Sequence, residues 1–90
     1  MAYEFAEPMP SPLGVIIRLF VAEVTQALDE SVEYPRRVAI VVKWSWLLSG
    51  LGYQHPIPPA EVSKLDPERL KQEAMKMLQW LGGFVQRYRV

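Results

Sequence analysis

Residues 36–52, RRVAIVVKWSWLLSGLG, carry apolar side chains in almost every direction a helix can present. At ~100° per residue, Val38, Val42 and Trp46 fall on one side and Ile40, Trp44, Leu47 and Leu51 on another. Ser45 and Ser49 form a strip of small residues that allows close approach, and Lys43 is the one charge after Arg37. Trp44 and Trp46 point ~200° apart and cannot both enter one small core. A helix that is apolar nearly all round is a buried helix. Two further helices of the same chain cannot enclose it, so a second surface is required. A two-fold partner supplies one economically. The expected self-association or partner interface is therefore Val38, Val42, Trp44, Ser45, Trp46, Ser49 and Tyr53, in a homodimer or with another protein.

The same segment has a competing period. Val38, Ile40, Val42, Trp44, Trp46 and Leu48 alternate with smaller or polar residues, and β-branched and aromatic residues dominate, which is a strand signal over 37–48. Helix is favoured for two reasons. Pro35 stands at a first helical position and Gly50 and Gly52 where a left-handed stop belongs, and no second strand is in sight. A lone strand would have unpaired edges and pair with its copy, so either geometry implies a dimer.

The flanking segments are helical by spacing. Leu13, Ile16, Ile17, Phe20, Val24, Ala27 and Leu28 recur at threes and fours behind Ser11 as a cap and Pro12 at the first position. Val15, Leu19 and Ala22 lie off that stripe, so the outward side of this helix is greasier than one bundle requires. Asp66, Pro67 and Glu68 open the last helix, whose seam is Leu70, Ala74, Met77, Leu81, Phe84 and Tyr88. Gln72, Gln79 and Gln86 repeat on its far side. Gly82 and Gly83 each weaken it by ~1 kcal/mol relative to alanine, which suggests a kink or a close helix contact. Pro56, Pro58 and Pro59 exclude helix just before each of them, leaving room for one short turn within 60–65.

The fold expected is all-α, a single domain over 1–90: three main helices at about 11–32, 35–50 and 66–88, an irregular arm at 1–10, and a Pro-rich linker at 52–65 carrying the short turn. The bundle is completed by dimerisation. Half of the residues are hydrophobic in a chain of 90, which leaves apolar surface to spare at this size.

Little in the chain is suited to chemistry. There is no cysteine and one histidine, His55, in the loop QHPIPP. Thiolate nucleophiles, Cys/His metal sites and histidine-based catalysis have almost no material to work with, so no cofactor, no metal and no enzymatic activity is expected. The acids Asp29, Glu30 and Glu33 read as a solvated cluster, and SGLG is too short to cradle phosphate. The start, MAYEFAEPMPSP, lacks the basic and apolar blocks of a signal peptide, and the apolar runs are too short and too charged to cross a bilayer. A cytoplasmic location is expected.

Ten basic residues balance ten acidic ones, unevenly along the chain. Six of the acids precede Pro35, against Arg18 alone, whereas the last helix is basic. Two functions follow. The favoured one is a non-catalytic oligomerisation or protein-interaction module, an adaptor or regulatory subunit. The alternative is a dimeric nucleic-acid-binding regulator contacting phosphates through Arg36, Arg37, Lys43, Arg69, Lys76 and Arg87.

Overall fold

The computed structural model describes residues 12–88, apart from the side chains of Leu13 and Tyr88; Ser11 and the arm at 1–10 lie outside the described residues. Four helices follow one another: α1 (Pro12–Ala27), α2 (Tyr34–Ser49), the single turn α3 (Pro59–Val62) and α4 (Pro67–Tyr88). The described residues contain no strand, so the alternation over 37–48 is overridden by the helical stop and start signals around it. Every helix has a proline within its first two positions, where the missing N–H costs no helical bond.

α1 ends at Ala27, ahead of the boundary near 32 suggested by its spacing. The side chain of Asp29 explains the early stop. Its Oδ1 accepts from both the backbone N–H of Ser31 at 2.9 Å and the Ser31 hydroxyl at 2.7 Å, a local turn that competes with the helix. Those bonds also hold the Asp29 carboxyl below its ordinary pKa. Arg37 then closes the end: its Nε donates to the carbonyl of Ala27 at 2.9 Å, placing a cation at the negative pole of α1.

α2 stops in a Schellman arrangement. The N–H of Tyr53 bonds the carbonyl of Leu48 and that of Gly52 the carbonyl of Ser49, both at 3.1 Å. Of the two glycines expected to turn left-handed, only Gly52 does, at φ 111°. Gly50 is right-handed at φ −67°. Asp66 caps α4 as its position suggests, with Oδ1 accepting from the N–H of Arg69 at 2.7 Å. α4 continues through Gly82 and Gly83 without interruption, and no atom outside its own turn lies within 4 Å of where a Cβ on Gly82 would stand. The glycine pair therefore marks no close helix contact.

The core joins α1, α2 and α4. Phe20, Val24 and Ala27 from α1 meet Ile40, Val41, Trp44 and Leu48 from α2 and Leu70, Ala74, Met77, Leu81 and Phe84 from α4. α1 and α2 make the largest helix-to-helix contact. Phe20 meets the Trp44 indole edge-on, with ring centroids 5.3 Å apart. Tyr34 ties the start of α2 to the segment before α4, its hydroxyl donating to the carbonyl of Leu65 at 2.9 Å.

Candidate interaction surface

The two tryptophans divide as the wheel demands. Trp44 is 2% exposed, in the core; Trp46 is 48% exposed on the opposite side of α2. Each indole N–H has an acceptor. That of Trp44 donates to Glu23 Oε1 at 2.7 Å, and that of Trp46 to the carbonyl of Ile57 at 2.8 Å. Lys43 donates to the same Oε1 of Glu23. The lysine, then the indole, hold the Glu23 carboxyl below its ordinary pKa against the opposing effect of burial.

The Pro-rich linker folds back along α2 and covers much of what two helices leave open. Ile57 is buried, and both of its peptide groups are held by consecutive residues of α2: its N–H donates to Ser45 Oγ at 2.9 Å and its carbonyl accepts from Trp46. Because Pro56, Pro58 and Pro59 have no N–H, the Ile57 amide is the only backbone donor of residues 56–59. Buried, it must find an acceptor, and Ser45 supplies one. The small-residue strip thus admits the chain's own linker.

The residues expected at an interface are distributed between the core and the surface. Trp44, Ser45 and Tyr53 are core residues, while Val38 and Val42 are half-buried against the core. Ser49, half-buried, donates its hydroxyl to the carbonyl of Trp46. Only Trp46 presents a large exposed surface, and its polar atom is engaged. Tyr53 sits edge-on to Trp80 and to His55, at 5.5 and 5.6 Å. Its hydroxyl is buried with no hydrogen-bond partner among the described residues. Burial, with a smaller contribution from Glu73, pushes this phenol up to about 12.

The basic residues considered for phosphate contact are not gathered on one face. Arg36 donates to Gln26 and Lys43 to Glu23, on the α1 side of α2. Arg37 is 8% exposed and spent on the end of α1, with its guanidinium over the Tyr34 ring. Arg69 pairs with Glu61 and Glu73, and Lys76 with Glu73, on α4. Arg87 is exposed in the last turn of α4.

Most of the large apolar side chains the fold leaves exposed lie on α1. Val15 and Leu19 are each about half exposed and Ile16 somewhat less, whereas Val21, also half exposed, lies on the other side of α1 beside Leu78, Leu81 and Val85 of α4. Across from Ile16 and Leu19 of α1, Leu47 of α2 is 54% exposed. Between the two helices runs a groove of about 350 Å³ lined by Ile16, Leu19, Trp44, Leu47 and Leu51, with Lys43 and Gly50 at its edges. Sequence spacing already placed Val15, Leu19 and Ala22 off the core stripe. It did not single out Leu47, which the wheel assigned to the face of Ile40 and Trp44.

Among the described residues no group of three His, Cys, Asp or Glu is placed to hold a metal ion, and no helix is long and apolar enough to cross a membrane. No protein family, curated protein or solved structure gives a match to the chain.

Proposed function

We propose that this domain is a non-catalytic protein-interaction module whose contact surface is the apolar flank of α1 and the groove it forms with α2. The observation that carries this reading is the grouping of Ile16, Leu19 and Leu47, partly exposed aliphatic side chains around one groove, with exposed Val15 one turn before Leu19 on α1. The rest of α2 shows that the chain can cover apolar helix surface with its own linker, which makes this uncovered flank distinctive. Scattered apolar residues on a surface are ordinary; a grouped set beside a concavity is the signature of a contact site. Binding through such a groove follows the helix-in-groove pattern, in which an apolar helix face supplies side chains at threes and fours. The role is that of an adaptor or regulatory subunit, because what this surface offers is chiefly apolar contact area.

The test is Leu19→Lys combined with Leu47→Lys. Both side chains lie half in water, so the double variant is expected to melt within a few degrees of the wild type. Used as baits in parallel, the wild type should retain a stoichiometric partner chain, whether a copy of itself or another protein, that the variant loses. Equal retention by both baits, or a collapse of helix content in the variant, refutes the reading.

A further inference from the structure

We infer that the occupant of this flank is a second copy of the chain, with the two α1 helices side by side and parallel about a two-fold axis. This rests on the contact-surface reading above and names its partner. Three observations favour a copy over a foreign helix.

The first is spacing. Val15, Leu19 and Ala22 are all exposed on α1 and stand at intervals of four and three, the seam by which one helix packs on another of its own kind. The second is position. Leu19 of that seam also lines the groove, so a helix laid along the seam lies beside Leu47. Each copy then contributes the same α1 face to a two-fold contact, and the apolar flanks of both are closed at once.

The third is charge. Counting Val15 and Ala22 as d positions and Leu19 as a makes Arg18 the g residue of one heptad and Glu23 the e residue of the next. In a parallel pair, g of one helix meets e of the other five residues on, so Arg18 of each copy faces Glu23 of its mate. Both residues are ready for that contact. Arg18 is exposed and has no hydrogen bond or ion pair among the described residues. Glu23 uses only Oε1 for Lys43 and Trp44, so Oε2 is left for a further donor. An antiparallel pair sets the Arg18 flank against the same flank of the copy and makes no such bond, so the charges select the parallel arrangement.

The chain has no cysteine, which makes cross-linking clean. The experiment measures solution mass by light scattering for the wild type and Arg18→Glu, and disulfide formation in Val15→Cys under mild oxidation. Expected are a wild-type mass near twice 10.4 kDa, a monomeric Arg18→Glu with an unchanged circular dichroism spectrum, and rapid covalent dimerisation of Val15→Cys. In an antiparallel pair centred between Leu19 and Ala22, the two residues 15 would be ~16 Å apart along the axis, well beyond the ~7 Å a disulfide spans. A dimer in which Val15→Cys fails to cross-link, or which survives Arg18→Glu, overturns the arrangement. A wild-type monomer at tens of micromolar overturns the second copy. If that monomer still captures another protein that Leu19→Lys/Leu47→Lys loses, the contact-surface reading stands; if it captures nothing, both fall.

Discussion

Replacing Ser45 by alanine tests whether the linker is held to α2 as described. Ser45 is 1% exposed and its Oγ is the acceptor for the Ile57 N–H, the only backbone donor in residues 56–59. Ser45→Ala removes the acceptor and leaves that N–H buried and unpaired, at a cost of ~1–3 kcal/mol. The bond from the Ser45 hydroxyl to the Val42 carbonyl is also lost, but that carbonyl keeps its partner in the helix ladder and adds little. Against this, alanine is the better helix former by ~0.5 kcal/mol. The net expectation is a loss of ~0.5–2.5 kcal/mol, or a fall in Tm of ~2–20 °C for a domain of this size. Ser49→Ala is the control, because the Ser49 hydroxyl only donates back to its own helix; its Tm should stay or rise slightly. Thermal melts followed by circular dichroism give the size of the effect, and amide hydrogen exchange gives its location. Ile57 should be protected in the wild type although it lies in a loop, and should exchange faster in Ser45→Ala than any amide of α4. An unchanged Tm in Ser45→Ala together with an unprotected Ile57 in the wild type would show that the linker is not fastened by this bond.

Two other perturbations follow from the same structure. Tyr53→Phe removes a buried hydroxyl that has no partner among the described residues, so the variant should be at least as stable as the wild type; a Tm loss of several degrees would mean the hydroxyl is in fact bonded. The same group makes stability fall at high pH: its pKa is raised from 10.0 to about 12 on folding, so between those values the unfolded chain releases a proton that the folded chain retains. Its contribution is complete below pH 10 and is lost at up to ~1.4 kcal/mol per unit as pH rises toward 12, a slope that urea melts should find in the wild type and find reduced in Tyr53→Phe. Gly82→Ala should stabilise by ~1 kcal/mol, a Tm gain of ~4–8 °C, since a Cβ there meets nothing within 4 Å; a lower Tm would indicate that something packs against this glycine.

The parts of the fold that could be read from the sequence are those fixed by neighbours in the chain. Asp66 and Pro67 mark the start of α4, and the seam from Leu70 to Phe84 is buried as its period requires, because cap and stripe depend on residues within a turn or two. The end of α1 was less legible: apolar spacing continues to Leu28, but the bond from Ser31 to Asp29 outweighs it. The fate of the second face of α2 was not legible at all. A wheel shows that Trp46 and Val42 need cover, yet the cover comes from Ile57, eleven residues beyond Trp46, in a segment whose prolines read as solvent-facing loop. The available clue was subtler: a lone N–H among prolines needs an acceptor, and a serine in a greasy helix is one. Of the candidate contact residues, the outward set on α1 followed from its stripe. Leu47 did not, because its exposure depends on how far apart α1 and α2 sit across the groove.

The fastening of Ile57 onto Ser45 and Trp46 also bears on the order in which the chain becomes safe from its neighbours in a crowded cell. During synthesis the N-terminal parts leave the ribosome first, at a few residues per second. α1 is already outside when α2 emerges, and the linker that screens the Trp46 side follows within about a dozen residues. Closing so short a loop takes well under a microsecond. The Ser45 and Trp46 side of α2 therefore meets its cover before residue 60 is out, while the side that carries Ile40, Trp44 and Leu48 waits for α4.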